Sequence, residues 1–311
     1  METPTLSSPR PSATFGGFLA IALWSATVGL GRILIESLGV MTAGAAVYSL
    51  SGVLGCAWLL WRPRRRAELR RLPRRYLLGC GGLFVLYAVC LYAATGLATG
   101  RQQVLVVGVI NYLWPGLTLA LSVPILGHVA RPWLWAGIVM AFAGVALAAG
   151  AQGGVDWPAL SSHLAADAWP YCLALVGAVS WALYSNFTRR WAGGAIGGAV
   201  PLFALATGVA MAALRLMSCE STRWSAAMAG VLMLIAVGPA LLAYILWEAA
   251  MRWGDHTLVA CAAYAAPLLS TGMSCALLGV LPGASLWAAC VLVVAGAVIC
   301  RLSVRSAGAA P

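Results

Sequence analysis

Aromatic side chains in the middle of long apolar segments are the groups in this sequence best suited to bind a small molecule. A tyrosine hydroxyl or an indole N–H in an apolar environment needs a hydrogen-bond partner, so such side chains turn towards other helices or a wet cavity. The candidates are Trp24, Tyr87, Tyr92, Tyr112, Trp114, Trp181, Tyr184, Tyr244 and Tyr264. Ordinary helix packing is the alternative for any one of them, but the group as a whole predicts a cavity lined by aromatic faces.

A second candidate feature is the segment Asn-Tyr-Leu-Trp-Pro at 111–115. Proline has no N–H and clashes with the carbonyl four residues earlier, so Pro115 frees the carbonyl of Asn111. Pro267 does the same to Ala263 in the second half of the chain. The two prolines predict hinges or breaks that line a site, with a tolerated kink as the alternative, and Asn111 joins the predicted binding residues.

Charged side chains are almost absent from the apolar segments. Glu248 is the one plausible intramembrane carboxylate, and it could either relay protons or form an ion pair with Arg252, one helical turn later. Arg32 and Arg189 could bind a substrate carboxylate, although anchoring of helix ends is the simpler interpretation. Glu248 is therefore the candidate for energy coupling.

The sequence lacks the patterns that hydrolytic and metal chemistry require. It contains no HExxH, GxSxG or GxxxxGK[ST] motif and no pair of intramembrane aspartates that could activate water. Its nine cysteines form no CxxC pair and fall mostly inside apolar runs, which predicts reduced packing residues. We therefore expect no catalytic residue, no metal and no cofactor, and an intramembrane enzyme is disfavoured.

Composition indicates a membrane protein. Of 311 residues, 62% are hydrophobic and 9% are charged, against roughly 25% charged residues in an average soluble domain. All nineteen basic residues are arginines, and eight of them lie between Arg62 and Arg75. A nucleic-acid patch is one interpretation of this cluster, but its apolar flanks favour a basic loop beside a bilayer and no nucleic-acid partner.

Ten apolar stretches are long enough to cross a bilayer, which takes about 20 residues per helix. They run approximately from 15 to 35, 41 to 61, 76 to 98, 102 to 126, 132 to 150, 169 to 188, 197 to 217, 226 to 250, 257 to 280 and 285 to 303. Linkers are short except for 151–168, which has no arginine and is the natural boundary between two halves. The first stretch is longer than the apolar core of a signal peptide, so we expect it to remain as a helix.

The arginines also predict an orientation, because cytoplasmic loops retain basic residues. With the loop between Arg62 and Arg75 in the cytoplasm, alternate loops place fifteen arginines inside and four outside. The four outside are Arg32, Arg101, Arg215 and Arg223. The other loops agree with this orientation, which predicts an even number of spans with both termini in the cytoplasm.

The chain repeats itself, which indicates its architecture more strongly than hydropathy does. A shift of 152 positions aligns Tyr92 with Tyr244, Tyr112 with Tyr264, Pro115 with Pro267, Leu134-Trp135 with Leu286-Trp287 and Ala143-Gly144 with Ala295-Gly296. A shift of 157 pairs Trp24 with Trp181 and Arg32 with Arg189 in the first helix of each half. Apolar sequences often match by chance, but shared proline, tryptophan and tyrosine columns in one register seldom do.

This register predicts two five-helix halves. The boundaries are a cytoplasmic tail at 1–14, a first repeat at 15–150, a periplasmic linker at 151–168, a second repeat at 169–303 and a cytoplasmic tail at 304–311. Because five is odd, the second half enters the membrane inverted relative to the first. Inverted repeats let a bundle open alternately to either side around a site near the midplane, so an all-α fold of this kind predicts transport.

On these residues the chain resembles the EamA-type members of the drug/metabolite transporter superfamily, which have ten helices in two inverted repeats. The resemblance covers nearly the whole chain and rests on Trp24 and Trp181, on the Pro115 and Pro267 helices, and on the closing Ala-Gly stretches. Family members usually carry Gly-Glu after the fourth helix of a repeat, where this chain has Gly-His at 127–128 and Gly-Val at 279–280. No coupling role is carried over to those positions.

Within the superfamily, the 111–115 segment and the aromatic content of the first, third, fourth and sixth stretches resemble bacterial aromatic amino acid exporters of the YddG type. The resemblance implies export of aromatic and other neutral amino acids from the cytoplasm through the inner membrane. The inverted repeat predicts alternating access, and because ten helices can enclose a site within one chain, we expect a monomer in the lipid bilayer. Two alternatives stay open. One is export of apolar or cationic drugs, which a cavity-facing Glu248 would favour, and the other is a membrane enzyme or receptor on a transporter-like scaffold.

Overall fold

The computed structural model describes residues 9–26, 28–99, 101–151, 167–192, 198–270, 272 and 283–305, which are nearly all helical. The helices are α1 Pro11–Ala26, α2 Val28–Leu38, α3 Val40–Trp61, α4 Pro63–Arg70, α5 Gly81–Leu97, α6 Arg101–Asn111, α7 Trp114–Leu126, α8 Trp133–Ala151, α9 Trp169–Trp191, α10 Val200–Leu216, α11 Ala226–Val237, α12 Ala243–Trp253, α13 His256–Ala262 and α14 Ala284–Ser303. The short strands Val129–Ala130 and Val304–Arg305 pair antiparallel.

The length and composition of these helices suit a bilayer. Five helical runs of the described chain are long and apolar enough to cross it, namely Val40–Trp61, Tyr76–Leu97, Gln103–Leu126, Ala226–Trp253 and Ala284–Ser303. Shorter apolar helices span Trp133–Ala148, Val200–Leu216 and His256–Ser270. Large apolar side chains such as Trp61 and Leu78 point outward. The chain is therefore an all-α protein whose apolar exterior fits lipid rather than water.

Each predicted stretch contains helix in the structure, with differences at the edges. α1 and α2 together occupy the first stretch, of which residue 27 is not described. α9 continues to Trp191, three residues beyond the predicted end. The end of the 257–280 stretch and nearly all of the 151–168 linker lie outside the described residues. The basic loop holds a short helix, α4, which we did not predict; Pro63 starts it because its missing N–H costs nothing at a first helical position.

Irregular turns occur beside the two prolines that the sequence singled out. α6 ends at Asn111, and the N–H of Leu113 bonds to the carbonyl three residues back rather than four. Pro115 supplies no N–H to the ladder, which is why the helix cannot continue regularly through this turn. Later in the chain a 3₁₀ turn over Ala263–Ala265 precedes Pro267. Both segments are thus irregular at matching positions, while a hinge role stays a prediction.

α3 packs along α10 through small residues. A methyl group added at Gly52 would lie 2.4 Å from the backbone of Leu205, and one added at Gly208 would lie 2.5 Å from the nitrogen of Ser49. Ser49 on α3 meets Gly208 on α10, whereas Gly52 meets Leu205, so residue numbers rise along α3 as they fall along α10. The two helices are therefore antiparallel. Close backbone approach at small residues is how helices associate in lipid, where no hydrophobic force drives them together.

α8 packs against α14 in the same way. A methyl group at Gly137 would lie 2.9 Å from the carbonyl oxygen of Gly296, and one at Gly144 would lie 2.9 Å from that of Ala289. Residues 289 and 296 follow 137 and 144 by 152 positions, the shift found in the sequence. The contact of 137 with 296 therefore maps onto the contact of 144 with 289, as a local two-fold relation requires.

Arginines gather at one end of the bundle, which we call the basic end. The guanidinium of Arg65 lies 4.0 Å from the ring centre of Trp58, and that of Arg10 lies 4.7 Å from the ring of Trp253. Arg301 binds Asp255 at 2.7 Å at the same end. Arginine stacked on tryptophan is a favourable cation–π contact and is typical of a membrane–water boundary.

At the opposite end, Glu220 fastens the loop after α10 to the start of α3. Its carboxylate accepts hydrogen bonds from the backbone N–H groups of Met41 (2.7 Å) and Thr42 (2.9 Å), and from the Thr42 hydroxyl (2.8 Å). Arg215 lies 3.7 Å from it. The first N–H groups of a helix lack partners within the helix and attract negative charge, so Glu220 acts as an N-terminal cap supplied by a distant part of the chain.

Acidification is expected to weaken this cap. Partial burial disfavours the charged form of Glu220, but hydrogen bonds from Met41 and Thr42 and the charge of Arg215 outweigh it and lower the pKa. A carboxyl group with a depressed folded pKa stabilises the fold above its unfolded pKa and loses that contribution as pH falls through the folded value. Glu220→Gln should therefore melt below the parent at pH 7, and the difference should shrink as the pH falls below the ordinary glutamate pKa of about 4.3. A difference that is independent of pH would contradict this.

Candidate functional site

Five helices contribute side chains to one group of aromatic rings in the interior: α1, α5, α7, α9 and α12. We call it the central aromatic cluster, and its members are Trp24, Phe84, Tyr87, Trp114, Trp181, Tyr184, Tyr244 and Trp247. On α5, α9 and α12 the members are spaced by three residues, which puts them on one face of each helix. Packing of those faces against one another positions the rings.

Trp181 lies at the centre of this cluster and is 2% exposed. Its ring centre is 4.7 Å from that of Tyr87, 4.9 Å from that of Tyr184 and 5.5 Å from that of Tyr244. Trp24 meets it edge-on at 5.9 Å. Separations of 4.5–7 Å with tilted or edge-to-face rings are the favourable arrangements for aromatic pairs.

Irregular backbone just before α12 holds the ring of Trp24. Its indole N–H donates to the carbonyl oxygen of Pro239 at 3.1 Å. That carbonyl belongs to a π-helical turn, Gly238–Leu242, between α11 and α12. Turns of this kind leave carbonyl groups outside the regular ladder and are frequent at functional sites. The hydrogen-bond partner that the sequence predicted for this indole is thus a carbonyl group of irregular backbone.

Two further hydrogen bonds join rings of the cluster to neighbouring helices. The hydroxyl groups of Tyr48 and Tyr244 lie 2.9 Å apart, which ties α3 to α12. The indole N–H of Trp247 donates to the hydroxyl of Ser185 on α9 at 3.2 Å. Both bonds are buried, so they fix the orientation of rings that packing alone would leave free to turn.

The predicted residues divide by exposure. Trp114, Trp181, Tyr184 and Tyr244 are buried, whereas Trp24, Tyr87, Tyr92, Asn111 and Tyr112 are half-buried. Tyr92 touches the cluster through Tyr48, at 6.0 Å between ring centres. The accessible surface among these residues therefore belongs mainly to the half-buried ones.

Tyr112 and Tyr264 lie partly or wholly outside the central aromatic cluster. Tyr264 packs with Ala141, Val145 and Val293 between α8 and α14, and a methyl group at Gly116 would lie 2.4 Å from its hydroxyl. Tyr112 contacts both groups. The repeat relates these two tyrosines, but the structure brings only the first of them against the cluster.

Several aromatic residues of this region were missing from the sequence-based set. They are Tyr48, Tyr76, Phe84, Phe203 and Trp247. Phe84 could have been found, because it precedes Tyr87 by three residues and must share its face. Tyr48 and Phe203 lie in the glycine- and alanine-rich helices α3 and α10, in which the sequence analysis singled out no candidate.

Glu248 is 3% exposed and sits between two partners at the basic end. Its carboxylate is 3.1 Å from the guanidinium of Arg252, so the ion pair predicted as one of two alternatives is present. The hydroxyl of Tyr76 donates to the same oxygen at 2.5 Å. A role in coupling transport to protons stays a prediction.

Arg189 anchors helix ends. Its guanidinium donates to the carbonyl oxygens of Met251 (3.1 Å) and Gly254 (3.0 Å), where α12 finishes. This geometry agrees with anchoring rather than with binding of a solute, because the carbonyls at a helix C-terminus attract positive charge. The side chain of Arg32 lies outside the described residues.

Metal-binding geometry does not occur in the part of the chain that the structure describes. No group of three or more His, Cys, Asp or Glu side chains comes together there. His128 and His256 approach each other with ring centres 6.1 Å apart, but they have no third ligand among these residues.

Known proteins of similar sequence and structure agree with this architecture. The model of the EamA-like transporter family matches residues 11–150. Over 296 residues the chain is 31% identical to the aromatic amino acid exporter YddG of Escherichia coli (strain K12), covering 95% of this chain and 99% of that protein. It is 32% identical to YddG of Salmonella typhimurium (strain 14028s) over 293 residues, covering 94% and 98%. A crystal structure of 30% sequence identity superposes with a TM-score of 0.77, covering 94% of this chain and 97% of the other.

A bundle of apolar helices around buried aromatic rings, together with these relatives, defines a multi-pass transporter of the inner membrane and not an enzyme. Within that class, the chain belongs to the EamA-like transporter family, of the drug/metabolite transporter superfamily. The family resemblance inferred from the Trp24, Trp181, Pro115 and Pro267 segments is thereby confirmed.

Proposed function

We propose that this chain exports aromatic and other neutral amino acids across the inner membrane by alternating access between two inverted five-helix repeats. The observation that carries the proposal is the central aromatic cluster, whose rings come from both proposed halves. The first repeat, 15–150, contributes Trp24, Phe84, Tyr87 and Trp114. The second repeat, 169–303, contributes Trp181, Tyr184, Tyr244 and Trp247. Similarity to proteins named aromatic amino acid exporters supports the choice of substrate.

The helix contacts support the inverted repeat. α3 and α10, and likewise α8 and α14, are the second and fifth helices of the proposed halves, and each pair packs antiparallel. α1 packs on α12, and α9 packs on α5. Because α1 and α9 belong to the first stretch of each proposed half, and α5 and α12 to the third, exchanging the halves converts one pairing into the other. A two-fold axis in the membrane plane brings equivalent helices of the two halves together in antiparallel orientation.

The basic end is assigned to the cytoplasm. Arg10, Arg65, Arg252 and Arg301 gather there in the structure, and all four belong to the set that the positive-inside rule places inside. The N-terminal tail (1–14) and C-terminal tail (304–311) are then cytoplasmic, and the 151–168 linker is periplasmic. Lipid covers the outer apolar surface.

The substrate side chain would stack on the half-buried faces of Trp24, Tyr87 and Tyr92, above Trp181. An aromatic or apolar side chain gains contact area there without meeting a charge. The amide oxygen of Asn111 is buried and has no hydrogen-bond partner among the described residues. It would accept a hydrogen bond from the substrate ammonium group, beside the carbonyls freed by the break at 111–113.

Movement between the two access states would use the irregular turns beside Pro115 and Pro267. Each supplies a point in a long helix where the hydrogen-bond ladder is already incomplete, so bending there costs less than bending a regular helix. A monomer suffices for this scheme, because the helices that surround the cluster all belong to one chain.

Export of cationic drugs or dyes is the second candidate. Intramembrane negative charge facing the cavity would favour it, but Glu248 is paired with Arg252 and Tyr76 and lies towards the basic end. The neutral character of the central aromatic cluster therefore favours amino acids, while export of uncharged apolar compounds would use the same faces.

Flux in liposomes tests the assignment. Protein reconstituted without an imposed proton gradient should take up labelled phenylalanine and tryptophan above the level of empty liposomes, because stacking on neutral faces needs no proton. Labelled arginine and ethidium are the matched cationic solutes and should stay near the empty-liposome level. Uptake of ethidium without uptake of either amino acid would replace the proposal by the drug-export alternative.

A further inference from the structure

A hydrogen-bonded seal closes the basic end just below the central aromatic cluster. Tyr76 begins the helical run that contains α5, and Glu248 belongs to α12. The Tyr76 hydroxyl donates to the Glu248 carboxylate at 2.5 Å and accepts from the backbone N–H of Ala199 at 3.1 Å. Three elements that are distant in sequence therefore meet at one hydroxyl group.

The seal is tightly packed. Tyr76 is fully buried and Glu248 nearly so. A methyl group added at Gly198, just before α10, would overlap the Glu248 carboxylate. The backbone N–H of Val200, at the start of α10, and the guanidinium of Arg252 stabilise the Glu248 carboxylate in place of water. A carboxylate this deep cannot stay charged and unpartnered, so it holds its partners firmly.

Aromatic contacts connect the seal to the central aromatic cluster without a gap. The ring centre of Tyr76 lies 5.5 Å from that of Phe203, which lies 6.0 Å from that of Phe84. Phe84 in turn touches Tyr244 at 4.8 Å. Between α5 and α12, the contact of Tyr76 with Glu248 therefore lies on the basic-end side of the central aromatic cluster.

We propose that Tyr76, Glu248 and the first turn of α10 form the inner gate of the transporter, which is closed in this structure and opens by parting Tyr76 from Glu248. The inference rests on the proposed function for its direction of access. It assigns gating to Tyr76 and to the backbone at 198–199, which no sequence pattern singled out. Tyr76 and Glu248 are positioning residues in this scheme and do not touch the solute.

The Glu220 cap at the other end provides a contrast. It also places a carboxylate on a helix start with an arginine nearby. However, it joins α3 to the end of α10, and glycine contacts hold those two helices together from Gly44 to Gly55. Because this close contact continues along both helices, we expect the Glu220 cap to brace the fold and not to gate it.

A native cysteine reports on the gate. Cys80 lies one helical turn after Tyr76 and is fully buried. Parting Tyr76 from Glu248 would open a path from the basic end to this thiol. Cys219 is exposed in the loop at the opposite end and supplies an internal reference in the same sample.

The experiment measures maleimide labelling of Cys80 relative to Cys219, by peptide mass spectrometry of the intact purified protein. Tyr76→Phe and Glu248→Gln keep the shape of each side chain and remove its contribution to the charged hydrogen bond, so Cys80 should react about tenfold faster in each. Glu220→Gln is the matched control and should lower the melting temperature without changing the Cys80 rate. Cys80→Ser should abolish the peptide signal.

The outcomes separate the gate from the transport assignment, since labelling needs no substrate. Faster Cys80 labelling in both gate variants and not in Glu220→Gln supports the gate, even if no amino acid flux is found. Unchanged labelling in both gate variants, with melting temperatures near the parent, overturns it even if phenylalanine flux is normal. Equal acceleration in Glu220→Gln also overturns it, because general loosening then explains the result.

Discussion

Replacement of Trp181 by alanine is expected to reduce phenylalanine transport by about tenfold or more. Trp181 touches rings from α1, α5, α7 and α12 as well as its neighbour Tyr184. Its removal takes away the surface beneath the proposed substrate position and lets the remaining rings turn into the space. The measurement is initial uptake by liposomes that contain equal amounts of folded protein.

The same substitution should destabilise the fold, because it leaves a cavity the size of an indole in a buried cluster. Truncation of a buried tryptophan costs about 3–5 kcal/mol when the surroundings relax only partly. Trp181→Phe keeps an aromatic face and should retain part of both transport and stability. Trp133, which is 69% exposed at the start of α8, is the matched control, and Trp133→Ala should change neither by much.

Loss of transport in Trp133→Ala as large as in Trp181→Ala would contradict this account. It would mean that tryptophan content, not the position of the ring in the central aromatic cluster, governs activity. Full transport by Trp181→Ala at normal stability would remove the cluster from the substrate path altogether.

Replacement of Gly52 by valine is expected to separate α3 from α10 and to prevent stable folding. The first added carbon would already lie 2.4 Å from both the nitrogen and the Cα of Leu205, which are backbone atoms that cannot turn aside. Overpacking in a close-packed interior costs about 1–3 kcal/mol when side chains can adjust, and backbone obstruction raises that figure. Thermal unfolding in detergent, followed by the monodisperse fraction, measures the effect.

Gly82→Val is the control for this change. Gly82 lies in α5 on an exposed face, and an added methyl group would meet no atom within 4 Å. Both substitutions replace a glycine by valine in a membrane helix, so the change in helix propensity is the same. Only the atoms that surround the added side chain differ. Equal destabilisation by the two would show that α3 and α10 do not depend on the glycine contact.

Local sequence properties predicted the helices because the bilayer imposes a simple rule on them. Any segment near 20 apolar residues has to satisfy its own backbone in lipid, and each predicted stretch contains helix. The breaks beside Pro115 and Pro267 were predictable for a similar reason, since a missing N–H acts within one turn. The short helix α4 was missed because its polar, arginine-rich composition resembles that of a loop.

The candidate site was predictable only in part. Trp24, Trp181 and Tyr244 could be placed in the interior from their depth and their polar atoms, without knowledge of their neighbours. Tyr264 also has a predicted depth near the middle of its stretch and a polar hydroxyl group, yet the structure packs it between α8 and α14. Hydropathy and repeats give depth in the membrane, and they do not give the rotation of each helix against its partners.

A membrane-embedded helical chain, a repeat of proline, tryptophan and tyrosine positions, and membership of a transporter family could all be inferred from residue type and spacing along the chain. The bond of Trp24 to Pro239, the capping of α3 by Glu220 and the contact of Tyr76 with Glu248 became visible only once the helices were packed together. Each of these contacts links residues more than 150 positions apart. Their partners are selected by how the helices pack, because a buried polar group takes whichever complementary group packing brings within about 3 Å.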